Sequence, residues 1–167
     1  FKGVKIRGIN SLFDASLVAL GAAPSAMSGS KVYQALSTGV IDAGITDISA
    51  AYSRKYYEVQ DHVTVSPLFS VFFHGYVNPS WYNKLSGKAK NALKVAGNKA
   101  NQWAIDMTEV SAAKAPGQLK GKGMKVHKHT SSEITTMKNA MGPAFDKAFT
   151  KSTGKDGQKL LNMLSKM

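Results

Sequence analysis

Cysteine is absent from the 167 residues, which excludes disulfides, thiolate metal centres and a cysteine nucleophile. Long hydrophobic runs are absent too. The most apolar stretch, residues 63–77, is broken by Ser66, Pro67, Ser70 and His74, and falls short of the roughly 20 apolar residues a membrane helix needs. Arginine is scarce: of 22 basic residues only Arg7 and Arg54 are arginine. Base edges and phosphates are usually gripped by guanidinium forks, and neither zinc-finger spacing nor an RNA-recognition aromatic motif accompanies the lysines. Catalytic signatures are missing as well. There is no Gly-x-Ser-x-Gly elbow, no phosphate loop ending in Gly-Lys-Ser/Thr and no dinucleotide Gly-x-Gly-x-x-Gly. Gly121-Lys122-Gly123 precedes a strand-like stretch and does not join a strand to a helix. No nucleophile with an orienting base emerges from the pattern, so an enzyme is not expected.

What is abundant is lysine. The formal net charge is +12, and it is unevenly placed: residues 1–83 carry six Lys/Arg against five Asp/Glu, residues 84–167 sixteen Lys against five. A nucleic-acid or anionic-membrane surface is one meaning of such a half. A solvated helical face is the other, and lysine without arginine favours it. A basic nucleic-acid-binding domain therefore stands as the alternative reading, and no nucleic-acid partner is expected. Phe1-Lys2-Gly3 leads at once into the alternation Val4, Ile6, which reads as a chain entered mid-protein. A secretory leader would already have been removed.

Along the chain, residues 4–9 alternate and read as a strand. Asn10-Ser11 can cap a helix over 12–20 that Gly21 stops. Residues 22–27 are extended around Pro24, and Ser28-Gly29-Ser30 caps a helix over 31–37. Residues 40–46 read as a buried strand, 48–57 as a helix, and 63–77 as one long strand or two. This β-α-β-α-β-α-β order predicts an α/β layer with a mainly parallel sheet. Ligands of such sheets bind beyond the carboxyl ends of the strands, here the loops after Ile9, Met27 and Ile45.

The second half changes character. Asn78 and Pro79 open a helix whose apolar spacing runs from Trp81 through Trp103 to Ala113. Its length suggests a beam between lobes, kinked at Gly97 for about 1 kcal/mol and ended by Pro116-Gly117. A short strand at 124–127 and helices over 131–139, 143–150 and 156–166 complete the expectation.

Two features bear on chemistry. His127 and His129 share a face if they lie on a strand, but no carboxylate lies close in sequence to complete a transition-metal site, and no metal or cofactor is expected. Arg7 sits on a strand otherwise built of Val, Ile and Gly, at the edge of the expected crevice. A charge there needs a partner. It is either the fork for a ligand carboxylate or half of a structural ion pair with Asp42 or Asp47; the residues alone leave both open.

Five strings occur in order at fixed spacing: Lys2-Gly3-Val4-Lys5-Ile6-Arg7, Leu20-Gly21-Ala22-Ala23-Pro24, Ser30-Lys31-Val32-Tyr33-Gln34-Ala35-Leu36, Gly39-Val40-Ile41-Asp42 and Lys55-Tyr56-Tyr57-Glu58-Val59-Gln60. Together they resemble the substrate-binding proteins of tripartite ATP-independent periplasmic (TRAP) transporters, the dicarboxylate and sialic-acid receptors. The resemblance covers essentially the whole chain, but only the C-terminal half, or slightly more, of a family member. It implies a periplasmic-binding-protein-like fold of two α/β lobes bridged by a long helix. Residues 1–70 then form the second ligand-binding lobe, 71–115 the hinge strand and bridging helix, 116–130 the return strand, and 131–167 C-terminal helices packed on a first lobe that is mostly absent.

The function implied is a periplasmic receptor for a small organic carboxylate, working with the membrane subunits of a TRAP transporter. The resemblance assigns the carboxylate-pairing arginine to Arg7 and a polar contact to Asn10. Two departures stand out. Gly29 replaces a common Phe, and Ala43-Gly44-Ile45-Thr46-Asp47 replaces Gly-Gln-Glu-Asn-Pro, so Thr46 stands where the family has a contacting Asn. Gly29, Thr46 and Asp47 are thus further candidate ligand contacts. The pocket is expected to be roomier and less polar on this side, suiting a bulkier or aromatic carboxylate.

Overall fold

A computed structural model describes residues 1–166. Strand β1 (Lys5–Gly8) leads through Asn10 into helix α1 (Ser11–Ala19) and strand β2 (Ala23–Ala26). The Asn10 side chain caps α1 by accepting from the Leu12 and Phe13 amides, as its position before an apolar run predicts. β1 and β2 pair in parallel, Arg7 opposite Ser25. A short 3₁₀ turn (Gly29–Lys31) runs into α2 (Val32–Ser37), followed by α3 (Ile48–Ser53), a second 3₁₀ turn (Tyr56–Glu58) and β3 (His62–Val65).

Residues 40–46, expected as a buried strand, make only a single parallel bridge, Ile6 to Ala43. Backbone bonds to β1 are confined to residues 42 and 43, with Asp42 N–H to the Lys5 carbonyl at 2.7 Å and Arg7 N–H to the Ala43 carbonyl at 3.0 Å, and side chains add to them. The Asp42 carboxylate accepts from the Lys5 amide at 2.8 Å, and the Ile45 carbonyl is taken by the Arg7 side chain. The long strand expected over 63–77 also shrinks, to β3. β3 pairs in parallel with β4 (Lys125–Lys128), and the last ladder-like bond is His129 N–H to the Val65 carbonyl. Beyond it the partner chain turns away into α6, and a strand without a partner has no ladder to satisfy its amides. Residues 66–78 carry no regular structure, and Phe72, Phe73 and Tyr76 are exposed. Phe69 touches the ring of Phe13, centroids 4.8 Å apart.

Asn78 caps α4 (Pro79–Asn83), with Pro79 in the first turn. Ser86 then caps a second helix, α5 (Gly87–Gly121), so the single expected helix is two. α5 runs on through Gly97 and past Pro116, where an end was expected. A proline inside a helix costs about 3 kcal/mol. The burial of Ala115 and Leu119 offsets it, and Leu119 forms one core with Val32, Leu36, Ile41, Ala51, Tyr56 and Met124. The span α6 (Ser131–Leu164) is two helices joined across a kink at Gly154 (φ 65°, ψ −142°), so the break expected between 150 and 156 is present while the one expected near 140–142 is not. Its first half packs against α1. Met141 enters a second core with Ile6, Phe13, Leu17 and Ala22, and buried Ser16 donates to the Met141 carbonyl at 3.2 Å.

α6 begins with a capping box. Thr130 accepts from the Glu133 amide while the Glu133 carboxylate accepts from the Thr130 amide at 2.7 Å and its hydroxyl at 2.9 Å. The Thr130 backbone N–H, then its hydroxyl, hold the Glu133 carboxyl at about 2, against an ordinary 4.5. The sign follows from that depression: the contribution of the charged box to the helix start is complete above about 4.5 and drains as pH falls toward 2.

Two outcomes are expected. Leu119→Ala should lower unfolding free energy by about 2–5 kcal/mol, the usual range for a buried leucine; denaturant titration reads it, and a loss below about 1 kcal/mol would mean the end of α5 is not held by this core. In a carboxyl-carbon NMR titration Glu133 should have its midpoint near 2. Thr130→Ala should move it up only part of the way, since the backbone amide remains.

Candidate functional site

Arg7 occupies the third position of β1, between buried Ile6 and Gly8, and is itself half-buried. Its guanidinium is held by two backbone carbonyls. Nε donates to Met27 at 3.3 Å and Nη1 to Ile45 at 2.6 Å. It therefore ties the loop after β2 to the loop before α3. Neither suggested ion pair forms. Asp42 is engaged by Lys5, through the amide and, at 3.8 Å, the ammonium. Asp47 caps α3, accepting from the Ser49 amide at 2.8 Å and the Ala50 amide at 3.2 Å. Among the described residues no carboxylate lies within ion-pair distance of Arg7, and its Nη2 makes no hydrogen bond. Carbonyls orient the guanidinium but leave its charge uncompensated, and a partly buried charge favours an anionic partner.

The other candidates divide. Asn10 lies at the carboxyl end of β1, but its side-chain oxygen serves the α1 cap, at 3.1 Å from the Leu12 amide and 3.0 Å from that of Phe13; its NH₂ is the group left for a ligand. Asp47, a cap, has its carboxylate turned to the start of α3. Gly29 opens a 3₁₀ turn and does not use a left-handed backbone, so nothing in its conformation demands glycine. Space does. A Cβ built there meets the guanidinium of Arg54, with Cζ at 2.8 Å and Nη2 at 2.9 Å. The same guanidinium donates through Nη1 to Thr46 Oγ1 at 3.3 Å.

Arg54 adds a charge to the side of the crevice expected to be less polar. The volume left by a missing aromatic is held by a cation. Sequence reasoning missed it because residues 29, 46 and 54 meet only through the fold. The signal was nevertheless present: Arg54 is the second of only two arginines.

The histidine pair gains a neighbour that sequence distance concealed. His127 Nε2 lies 2.9 Å from Glu133 Oε1, and the two rings stand edge to face. His127, His129 and Glu133 are the metal-capable cluster among the described residues, but Glu133 is already engaged by the capping box and His129 by Ser66 at 2.9 Å. A groove between α3 and α5, lined by Ser49, Tyr52, Val110 and Gln118, and another beside residues 146–165 of α6 do not include Arg7. No described helix is long and apolar enough to cross a membrane.

Residues 1–152 match the family model described as bacterial extracellular solute-binding protein, family 7 (DctP). The C4-dicarboxylate-binding periplasmic protein DctP of Rhodobacter capsulatus is 32% identical over 154 residues, covering 87% of this chain and 44% of that protein. The sialic acid-binding periplasmic protein SiaP of Vibrio cholerae is 27% identical over 155 residues, covering 92% of this chain and 47% of its own. The periplasmic ectoine-binding protein of the TeaABC TRAP transporter of Halomonas elongata superposes with a TM-score of 0.80 at 26% identity, over 97% of this chain and 54% of that one. The chain thus spans about half the length of the curated relatives it matches. The fold is that of the TRAP periplasmic solute-binding proteins, present as a partial lobe, and the chain belongs to the bacterial extracellular solute-binding protein family 7.

Proposed function

We propose that this chain is the arginine-bearing part of a periplasmic receptor that binds an organic carboxylate and delivers it to the membrane subunits of a TRAP-type secondary transporter, without catalysis. The observation that carries the reading is Arg7: a half-buried guanidinium, oriented by the Met27 and Ile45 carbonyls and unpaired with any acid among the described residues. Gly29 and Thr46 suit a bulkier or aromatic acid once the exposed Arg54 guanidinium, which lies over Gly29, swings aside. Nothing favours the nucleic-acid alternative.

We further propose that residues 1–70 belong to the second lobe and that α5 reaches toward a first lobe built by other segments of the full-length protein. Its support is an unusual amount of exposed apolar surface. Phe72, Phe73 and Tyr76 are exposed in the segment before α4, as are Trp103, Ile105 and Val110 on α5. Exposed large apolar side chains in such number point to an interface.

Arg7→Ala in the full-length protein should weaken carboxylate binding by about 2–5 kcal/mol, and Arg7→Lys should recover little, since an ammonium does not reproduce the fork. Calorimetry reads this, with melting temperature as the control for the two carbonyls left without a donor. Near-normal affinity in Arg7→Ala would end the ligand role. For the lobe proposal, the 167-residue chain alone should bind an environment-sensitive hydrophobic dye several-fold more strongly, per residue, than the full-length protein; equal dye binding would argue that the apolar face is not an interface.

A further inference from the structure

We infer that His127, His129 and Glu133 form a binding site for a divalent transition-metal ion of the zinc class, placed where strand β4 passes into helix α6. The inference is independent of the receptor reading and uses none of the residues assigned to it.

The strand supplies the histidine pair. His127 lies within β4 and His129 just follows it, and residues two apart on a strand project to one face. Their ring centroids are 5.6 Å apart. The first turn of α6 supplies the acid, Glu133. One donor atom from each of the three lies within 4.8 Å of the other two, and His127 Nε2 is 2.9 Å from Glu133 Oε1. With bonds of roughly 2.0–2.1 Å, ligand atoms on a tetrahedral zinc lie about 3.3 Å apart. Closing on an ion therefore needs shifts of no more than about 1–2 Å. The side chains of His127 and Glu133 are 54% and 44% exposed, which gives them that freedom.

The two ligands with other duties perform them through a different atom. Glu133 serves the capping box with Oε2, accepting from the Thr130 amide and hydroxyl, and turns Oε1 to His127. His129 meets Ser66 Oγ through Nδ1, so its Nε2 is the nitrogen left for a metal. A metal-bound histidine is ordinarily oriented by a hydrogen bond at its other nitrogen. Ser66 does this for His129, and Thr130 does it for the carboxylate. The Thr130 amide, then its hydroxyl, hold the Glu133 carboxyl at about 2, so the ligand is ionised in neutral solution. The ion takes the place of the hydrogen between His127 Nε2 and Glu133 Oε1. That hydrogen moves to Nδ1 of a neutral ring, or leaves to solvent from a protonated one.

Two imidazoles and one carboxylate are the donor set of three-ligand zinc sites, in which water fills the fourth position. Imidazole nitrogen selects zinc, copper and nickel over magnesium and calcium, which take oxygen. Two features oppose a cation here. The N-terminus of α6 carries partial positive charge, and Lys125 shares the strand face of His127. Affinity is therefore lower than that of a thiolate site. The ion joins three segments: the end of β3 through Ser66 and His129, the end of β4, and the start of α6. His129 N–H to the Val65 carbonyl is the last bond between the two strands. The site thus locks the point at which one chain leaves for residues 66–78 and the other for α6.

The test titrates zinc chloride by calorimetry into the full-length protein, free of tags and stripped with chelator. One equivalent should bind with a Kd of roughly 10 µM or tighter, whereas magnesium and calcium should not bind in that range. His127→Asn, at an exposed position, and His129→Asn should each weaken zinc by about tenfold or more. Glu133→Gln, which preserves a capping box, should weaken it by about threefold or more. His62→Asn, at the far end of β3, should leave it unchanged. Cobalt in place of zinc should give the intense visible bands of a four-coordinate ion in the wild type and lose them in His129→Asn. Hydrogen exchange locates the site without any variant: zinc should slow exchange at residues 63–66 and 125–134 and leave α1 unaffected. Absence of zinc binding below about 100 µM overturns the inference. So does zinc affinity that survives either histidine change, or protection that falls outside these segments.

Discussion

The Arg7 guanidinium joins two loops just where their backbone pairing with β1 runs out. β2 ends at Ala26, and residues 40–46 contribute one bridge to β1. Beyond those pairings the Met27 and Ile45 carbonyls are bridged by the side chain between them. Carbonyl partners satisfy the donors without cancelling the charge. The same contacts that order the loops therefore leave an oriented cation facing outward. Stability of the loops and availability for an anion come from one group, which is why Arg7→Lys is not a mild change at this position.

Around that clamp the polar side chains have separate duties. Asn10 and Asp47 start helices, Asp42 accepts from the Lys5 amide, and Asp14 holds the turn after β1. Each acid near the strand ends is occupied by amides or by lysine. Local caps thus keep the negative charges of the lobe from reaching the two arginines, and the electrostatic character of the loops is set by residues that bind nothing themselves.

What could be read from the sequence is what local chemistry decides. Asn10 and Asn78 were identifiable as caps because an asparagine before an apolar run satisfies amides within three residues, and both serve so. Strand β1 and the short strand near Val126 follow from alternation and β-rich composition, and the extended piece around Pro24 pairs with β1 in parallel as the order of elements suggested. Residues 40–46 and 66–77 misled because strand formation depends on a neighbour that composition does not reveal. Pro116 misled because its cost is local whereas the burial of Ala115 and Leu119 that offsets it is not. Arg7 could be nominated from its apolar surroundings, but its partners, 20 and 38 residues away, could not. Arg54 escaped altogether, since its meaning lies in the absence of a side chain at Gly29.

Helix α5 is buried only near one end, at Ala115 and Leu119. Its 35 residues at 1.5 Å each make a rod roughly 50 Å long. Mechanically this is a lever whose fulcrum is the core shared by Val32, Ile41 and Leu119. A tilt of about 5° at the fulcrum sweeps the far tip through roughly 4 Å, given that length. α3 packs against the same rod and carries Asp47 and Arg54 at its two ends. Small readjustments of the loops around the two arginines thus bear directly on the short arm of the lever, and whatever is attached to the long arm receives them magnified.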